Sequence, residues 1–228
     1  MARRSDRLEA LKQELDRPGL TIHCRKVDLS NRADVEDFLA WLMASGIEVN
    51  FLVNNAGLGD HGRFDGADWE RIRQILDVNI MSLTKLTHAL VPMLRRQPRA
   101  AILNVSSIAS LIPIPKLAVY AASKAYVTSF SEALRAELYS SGIRVTALCP
   151  GPVPTEFGQV AQRSSNPEPM PSPDIFKVSA EKVVADGLEA VERNCPRVIP
   201  GWLVATAMLL TALTPIFLLR LAMRQRAA

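Results

Sequence analysis

The 228-residue chain has few of the residues from which metal centres and disulfide frameworks are built. Its three cysteines are odd in number and lack the spacing of zinc ligands, and its three histidines lie far apart. We therefore expect no metal site, and we interpret the cysteines as reduced thiols. The basic N-terminus has no apolar run of the signal-peptide kind, which together with the thiols predicts a cytoplasmic location.

A strong charge of one sign is also lacking. The chain carries 27 Lys and Arg against 23 Asp and Glu, a net charge of +4. This excess is small and scattered over the first two hundred residues, so we expect no nucleic-acid partner. The apolar fraction of 48% and the charged fraction of 22% are typical of a globular protein, and the length suits one α/β domain.

Apolar strands alternate with amphipathic helices along most of the chain. Strands are predicted at 20–27, 51–53, 100–105, 143–148 and 198–200, with helices at 5–17, 31–46, 68–96, 120–141 and 180–194. Strands that alternate with helices of this length predict a doubly wound parallel sheet. Ligands of such sheets bind at the carboxyl ends of the strands, where Asn54, Ser107 and Gly151 fall.

One stretch places three hydroxyl and amine side chains at informative positions. Tyr120 and Lys124 are four residues apart, so on a helix they share one face. An ammonium beside a phenol favours the phenolate and lowers the pKa of the tyrosine. Ser107 could hold a substrate oxygen beside that phenol, which predicts proton transfer to or from a carbonyl or alcohol oxygen. For the Tyr/Lys pair by itself, an ordinary tyrosine with a solvated lysine is the alternative.

The combination of Asn-Val-Ser-Ser with Tyr-Ala-Ala-Ser-Lys resembles the signature of the short-chain dehydrogenase/reductase family, in which the serine precedes the tyrosine by the same interval. The resemblance covers residues 3 to 200 and implies a Rossmann-like fold. It also implies NAD(P)-dependent interconversion of a secondary alcohol and a ketone or aldehyde. In that mechanism Tyr120 is the general acid/base, Lys124 lowers its pKa and binds the nicotinamide ribose, and Ser107 orients the carbonyl. Asn79 matches the asparagine that relays protons through water.

The same resemblance implies a set of cofactor-binding residues. Asn54-Asn55-Ala56-Gly57 is similar to the family motif along the adenosine side, and the aspartate of Asp28-Leu29 matches the family's adenine-contacting residue. The segment from Pro150 is similar to the one that flanks the nicotinamide. The implied contacts outside the Tyr/Lys pair and the N-terminus are Asp28, Leu29, Asn54, Ala56, Gly57, Pro150, Gly151, Val153 and Thr155.

Arg3 and Arg4 lie where the family places either an acidic residue for NAD or a basic residue for NADP. An arginine fork suits the 2′-phosphate of NADP, so the resemblance implies NADP rather than NAD. A basic N-terminal tail with no ligand is the alternative.

The family begins with a strand, a Thr-Gly-x-x-x-Gly-x-Gly turn, a helix and a second strand, and this sequence contains no such stretch. We therefore expect an N-terminally truncated fold without the first two strands and the first helix. In the family order 3-2-1-4-5-6-7 this removes the middle of the sheet, unless the strand at 20–27 moves beside the one at 51–53. We expect the chain alone to bind NADP poorly. A non-catalytic binding or scaffold protein, or an inactive fragment, is the alternative function.

A second unit, an apolar helical tail at 202–228, is predicted to follow a domain at 1–201. Residues 202–219 carry no charge, and Arg220, Arg224 and Arg226 follow. This pattern suits contact with a membrane surface through 202–226. Packing on the domain or on a second subunit is the competing interpretation, since family members commonly form dimers or tetramers. The polar, proline-rich stretch 159–178 is predicted to cover a small carbonyl or alcohol substrate, and the tail hints that this substrate is lipophilic.

Overall fold

The structure is a computed structural model that describes residues 1–163 and 173–227, with the backbone alone at 222 and 224–227. Residues 164–172 of the predicted substrate-covering stretch, and the side chains of Arg224 and Arg226, therefore lie outside the described part. Four parallel strands form a sheet in the order β1 (Phe51–Asn54), β2 (Ala101–Val105), β3 (Arg144–Leu148) and β4 (Arg197–Val198).

Helices connect the strands and cover the sheet. They are α1 (Ser5–Leu15), α2 (Arg32–Ala44), α3 (Trp69–Leu76), α4 (Leu83–Leu94), α5 (Ala118–Glu137), α6 (Phe157–Ala161), α7 (Ala180–Glu192), α8 (Trp202–Leu213) and α9 (Ile216–Ala227). Successive strand residues face opposite sides of the sheet. Ile102 and Val145 pack in one cluster with residues of α4 and α5, whereas Leu103 and Leu148 pack with Val183 and Val191 of α7. Helices on both faces of a parallel sheet confirm the predicted α/β, Rossmann-like fold.

The strand predicted at 20–27 is wrong. Among the described residues, Lys26 alone in this segment has a ladder partner, in an isolated parallel bridge to Ala2. The Val27 N–H donates to the Ala2 carbonyl at 3.1 Å, and the Ala2 N–H donates to Arg25 at 3.3 Å. A strand needs a neighbour along its length, and within the described residues β1 pairs with β2 alone. The 20–27 segment has therefore not moved beside β1.

The long helix predicted at 68–96 is interrupted. A π-helical segment, Asp77–Ser82, separates α3 from α4. Such single-turn π-helical segments often lie at functional sites, and here the segment carries the buried Asn79.

The first two helices begin in different ways. The Asn31 side chain caps α2 by accepting a hydrogen bond from Ala33 N–H at 3.0 Å. Helix α1 begins at Ser5 without a side-chain cap, and it buries none of its side chains. The last strand starts at Arg197 and ends at Val198, so it begins one residue earlier than predicted and is shorter.

The apolar tail consists of α8 and α9, separated at Thr214 and Pro215. Val204 is the buried side chain of α8, and its methyl groups lie against Gly151. None of the helices in the described residues has the length and hydropathy needed to cross a bilayer. Leu209, Leu213 and Phe217 are exposed, so the described tail presents apolar side chains to its surroundings.

Candidate active site

The loops that leave β2 and β3 are joined by backbone hydrogen bonds. Ser106 N–H donates to the Leu148 carbonyl at 2.7 Å, and Ile108 N–H donates to the Pro150 carbonyl at 3.0 Å. Ser107 lies between these two bonds, and its Oγ accepts from Ala109 N–H at 3.1 Å. The serine is therefore held at the carboxyl end of β2, beside the Pro-Gly segment.

Helix α5 brings Tyr120 and Lys124 to the same place. Only 8% of Tyr120 and 4% of Lys124 is exposed. The Lys124 ammonium donates to the Val105 carbonyl, the last of β2, at 2.8 Å, and it lies 5.9 Å from the centre of the Tyr120 ring. Three of the four predicted catalytic residues thus meet at one strand end.

Asn79 reaches this corner from the π-helical segment. Its Oδ1 accepts from Leu58 N–H at 2.8 Å, and its Nδ2 donates to the Leu58 carbonyl and to Ser123 Oγ, both at 2.9 Å. Ser123 in turn donates to the Tyr120 carbonyl at 2.7 Å. Asn79 therefore ties the Gly57–Leu58 loop to the helix that carries the tyrosine.

Gly57 leaves room for the lysine. A Cβ added there would lie 3.2 Å from Lys124 Nζ and 3.7 Å from Asn79 Oδ1. The missing side chain therefore keeps a small cradle beside the ammonium, bordered by the asparagine.

Burial dominates the ionisation of the corner. It raises the pKa of Tyr120 above its usual value, while the Ser107 side chain acts in the opposite direction. Burial also lowers the pKa of Lys124 from 10.5 to about 8. The Tyr120 pKa rises because the phenol is desolvated, and the lysine bonds to a backbone carbonyl, so the lowering of the tyrosine pKa by Lys124 stays a prediction.

The residues predicted on the adenosine side hold other parts of the protein together. Asn54 is buried, and its Nδ2 donates to Asn104 Oδ1 at 2.8 Å and to Thr87 Oγ1 at 3.0 Å. Ala56 is exposed in the loop that follows β1. Asn54 therefore links β1 to β2 and to α4, which supports the sheet.

Asp28 and Leu29 form a tight turn before α2. Asp28 Oδ1 accepts from the Ser30 N–H at 2.9 Å and from the Ser30 hydroxyl at 2.7 Å. Burial raises the pKa of Asp28, but the Ser30 hydrogen bonds and the charge of Arg3 lower it below its usual value on balance. The Leu29 carbonyl accepts from Ser82 Oγ at 2.5 Å.

The two N-terminal arginines point to different partners. Arg3 acts on Asp28 through its charge, whereas Arg4 Nη1 donates to Glu156 Oε2 at 2.9 Å. Arg7 donates to both oxygens of Glu156, at 3.0 and 2.8 Å. The hydrogen bonds from Arg7 and Arg4 hold the pKa of Glu156 at about 2. The side chain predicted to bind a phosphate is thus paired with a carboxylate.

The segment after β3 has the predicted position but mixed surroundings. Val153 packs against the cluster formed by β2, β3 and α7, and Thr155 is exposed. The Thr155 Oγ1 accepts from Phe157 N–H at 3.4 Å. Pro150 and Gly151 lie directly above β3, where Gly151 contacts Val204 of α8.

Phe157 is a residue of this corner that was not predicted from the sequence. Its ring packs on Tyr120 with 5.3 Å between centroids and an interplanar angle of 45°. The available signal was an aromatic residue in a polar stretch, two residues after Thr155. Because the phenol is covered by this ring, Phe157 belongs to the site.

Comparison with known proteins identifies the family. The family model for short chain dehydrogenases matches residues 1–166. Sulfoacetaldehyde reductase of Chromohalobacter salexigens is 41% identical over 160 residues, covering 68% of this chain and 62% of that protein. The very-long-chain 3-oxoacyl-CoA reductase of Anas platyrhynchos is 30% identical over 208 residues, covering 89% of this chain and 65% of that protein.

A solved structure extends the likeness to three dimensions. The short-chain dehydrogenase from Sphingobium yanoikuyae in complex with NADPH has a TM-score of 0.76 and 29% identity, covering 90% of this chain and 78% of that one. This chain spans 62% to 65% of the length of the two curated relatives.

Proposed function

The chain belongs to the short-chain dehydrogenase family, and we propose that it serves an NADP-dependent interconversion of a secondary alcohol and a ketone or aldehyde carbonyl. An oxidoreductase that uses a nicotinamide cofactor is what the family and its NADPH-bound member support. The observation that carries the finer proposal is the meeting of Ser107, Tyr120 and Lys124 at the end of β2. A proton donor, a hydroxyl that can hold an oxygen and a cation lie within one corner, in which Tyr120 and Lys124 are buried and Ser107 is half-buried.

The roles follow from the geometry and the ionisation. The raised pKa of Tyr120 keeps its phenol protonated at neutral pH, so it can give its proton to a substrate oxygen as negative charge develops there. Ser107 Oγ donates a hydrogen bond that orients the same oxygen. The Lys124 ammonium stabilises the phenolate that forms on Tyr120. Asn79 relays protons between this corner and water. The nicotinamide, when bound, supplies or accepts the hydride.

The cofactor assignment rests on residues that fit its nicotinamide half. The absence of a side chain at Gly57 leaves backbone alone beside the buried Lys124 ammonium, which we assign to the ribose hydroxyls, and Pro150, Gly151, Val153 and Thr155 border the same strand ends. For the adenosine half we assign Asp28, Leu29, Asn54 and Ala56. We assign the 2′-phosphate to Arg3 and Arg4, with Arg4 exchanging Glu156 for the phosphate, and this supports NADP over NAD.

Substitution of the phenol tests the mechanism. Tyr120→Phe is expected to reduce the rate at least about a hundredfold, since a positioned general acid contributes this much or more. Tyr126→Phe on the same helix is the matched control, because that hydroxyl contacts Thr84, outside the site. NADPH oxidation would be followed with ketones, steroids and acyl derivatives, in the 228-residue chain and in the longest reading frame that contains it.

The outcomes separate the two functions weighed from the sequence. Loss of turnover in Tyr120→Phe alone supports the enzyme. Equal turnover in both variants removes Tyr120 from the mechanism. Cofactor binding without turnover on any of these substrates favours a non-catalytic binding protein.

The tail supports a proposal on location and substrate. Each of its helices has 12 residues, about 18 Å of helix against a hydrocarbon core of about 30 Å. No Asp or Glu follows Glu192, whereas Arg220, Arg224 and Arg226 do occur. We propose that the protein is cytoplasmic and that 202–226 contacts an anionic membrane surface, which suits a lipophilic substrate such as the one that names the Anas platyrhynchos relative.

A pelleting assay tests the tail. Leu209→Glu with Leu213→Glu leaves Val204 in place and should abolish co-sedimentation with vesicles that contain phosphatidylserine. Equal sedimentation of both proteins contradicts membrane contact. Loss of a dimer or tetramer in the variant, measured by analytical ultracentrifugation, would assign this surface to a second subunit instead.

A second apolar surface suits association between copies of the chain. An apolar groove of about 420 Å³ is lined by Phe64, Ile72, Ile80 and Val119, between α3, the π-helical segment and α5. We propose that a second copy covers it. Ultracentrifugation of Phe64→Asp should show a smaller species than the wild type, and an unchanged mass would contradict this.

A further inference from the structure

Residues 157–163, here called the strap, lie over Tyr120 and along the loop at 58–63. The Phe157 ring packs on the Tyr120 ring; Tyr120 belongs to a buried cluster with Ala109 and Leu117, and the partly buried Phe157 packs against that cluster. A Cβ at Gly59 would lie 2.9 Å from Phe157 Cζ and 3.2 Å from Ala161 Cβ. The strap therefore sits directly on the loop backbone, with its aromatic ring over the phenol.

Backbone contacts continue along the strap. His61 N–H donates to the Ala161 carbonyl at 2.8 Å, and His61 and Gln162 form a parallel bridge. Arg71 adds a side-chain link, because one Nη donates to both the Gly59 carbonyl at 2.6 Å and the Val160 carbonyl at 3.0 Å. These bonds are partly exposed, so each contributes modestly.

The end of the strap is fixed by an ion pair of a different kind. Arg163 Nε donates to Asp60 Oδ1 at 2.8 Å and Nη2 donates to Oδ2 at 2.5 Å, while Nη1 donates to the Arg63 carbonyl at 2.9 Å. The two side chains are only 15% and 10% exposed. The neighbouring pair Arg63–Asp65, of the same residue types, is 68% and 69% exposed. Removing one partner from a buried, bidentate pair is far more destabilising than removing one partner from an exposed pair.

We propose that Asp60 and Arg163 are positioning residues that latch the strap, so that Phe157 covers the Tyr120 phenol until the latch opens for substrate. The meaning of this for turnover rests on the proposed function. While the strap is closed, Tyr120 is shielded from water. A substrate oxygen can contact the phenol only when Phe157 moves away. The strength of the latch thus sets how often the phenol is accessible.

Tyrosine nitration by tetranitromethane measures that accessibility without substrate or cofactor. The chain has three tyrosines, and Tyr126 and Tyr139, 37% and 77% exposed, serve as internal standards. Asp60→Asn should raise the nitration rate of Tyr120 by about tenfold or more, since it leaves Arg163 buried without its carboxylate. Asp65→Asn is the matched control and should leave the rate unchanged.

Two further variants keep the test decisive. Arg163→Lys retains the charge but loses the fork, so its Tyr120 nitration should lie between the wild type and Asp60→Asn, even if the latter fails to fold. Phe157→Ala should expose Tyr120 with the latch intact. Nitration of Tyr120 that is equal in the wild type, Arg163→Lys and Phe157→Ala overturns the latch.

The readouts separate this inference from the proposed function. If Tyr120 is protected as expected but no variant turns over a carbonyl substrate, the latch stands and the enzymatic proposal fails. If the protein is active, Asp60→Asn should change KM more than kcat, whereas a purely structural loss would lower the amount of folded protein at constant KM.

Discussion

Two regions of the molecule hold their polar side chains in very different ways. In the proposed catalytic corner, Asn79 and Lys124 are buried and bonded to backbone atoms of neighbouring elements, and the buried Tyr120 lies beside the half-buried Ser107. On the proposed phosphate side, Arg4 and Arg7 are exposed and bonded to Glu156, a carboxylate of a loop. The corner is fixed by the fold, whereas the phosphate side is held by ion pairs that solvent and salt weaken.

The difference shows which part of a site a short piece of sheet can organise alone. Lys124 bonds to the last carbonyl of β2, and Ser107 follows that strand, so both positions come with the strand itself. Arg3 and Arg4 lie next to a single bridge between Ala2 and Lys26. Because so little sheet holds them in place, Arg3 and Arg4 interact with the charged side chains nearest to them.

The largest expected effect is in the corner. Asn79→Leu leaves the N–H and C=O of Leu58 without their buried partner, so the free energy of unfolding should fall by about 3 kcal/mol. Asn31→Ala, which removes the exposed cap of α2, should cost about 1 kcal/mol. Urea denaturation of the two variants measures the ratio of these two losses in the free energy of unfolding. Equal losses would mean that the corner is no better fixed than a helix end.

A smaller effect concerns pH. The folded state holds the pKa of Lys124 at about 8 against 10.5 for the free side chain, so the unfolded state binds the proton more tightly. Stability is therefore reduced below pH 8 and recovers as the pH rises toward 10.5. Compared with Lys124→Met, the wild type should gain about 2 kcal/mol between pH 7 and 10.

Urea titrations of the two proteins at several pH values supply this measurement. Taking the difference removes contributions that the two proteins share; the buried Cys149 thiol, whose pKa is raised by burial, is not one of these, because its charge acts on Lys124. A difference that does not vary with pH would show that the lysine is solvated in the folded state.

The smallest effect is on the phosphate side. Because Arg4 and Arg7 are engaged with Glu156, we expect the 228-residue chain to bind NADPH with a dissociation constant well above the micromolar range. Glu156→Gln frees both arginines and should strengthen NADPH binding by about fivefold or less, with little change for NADH. Isothermal titration calorimetry at low salt tests this. Micromolar binding by the wild type would contradict the expectation.

Sequence reasoning succeeded where function depends on local spacing. The interval from Ser107 to Tyr120, and the helical step to Lys124, place these residues together as predicted. It failed where a contact joins segments that are far apart in the sequence. The Arg4–Glu156 pair joins residues 152 apart in the chain, and no periodicity reports such a contact. The 20–27 segment has the composition of a strand, but a ladder needs a neighbour, which local pattern does not supply.

Phe157 and the π-helical segment were missed for related reasons. The ring position of Phe157 depends on the absence of a side chain at Gly59, a hundred residues away in sequence. The apolar pattern at 68–96 fits a regular helix, and the extra residue that widens one turn leaves no mark in composition. Its physical trace is the set of three hydrogen bonds that Asn79 makes outside its own helix.

The widened turn at Asp77–Ser82 has a consequence for comparing this chain with others. Residues before and after it are out of phase with one continuous helical wheel, so a wheel drawn through both halves misassigns inside and outside. A relative with an unbroken helix there would need a one-residue gap in the alignment. That gap, rather than the identity of any one amino acid, would mark a homologue whose asparagine no longer turns toward the Leu58 backbone.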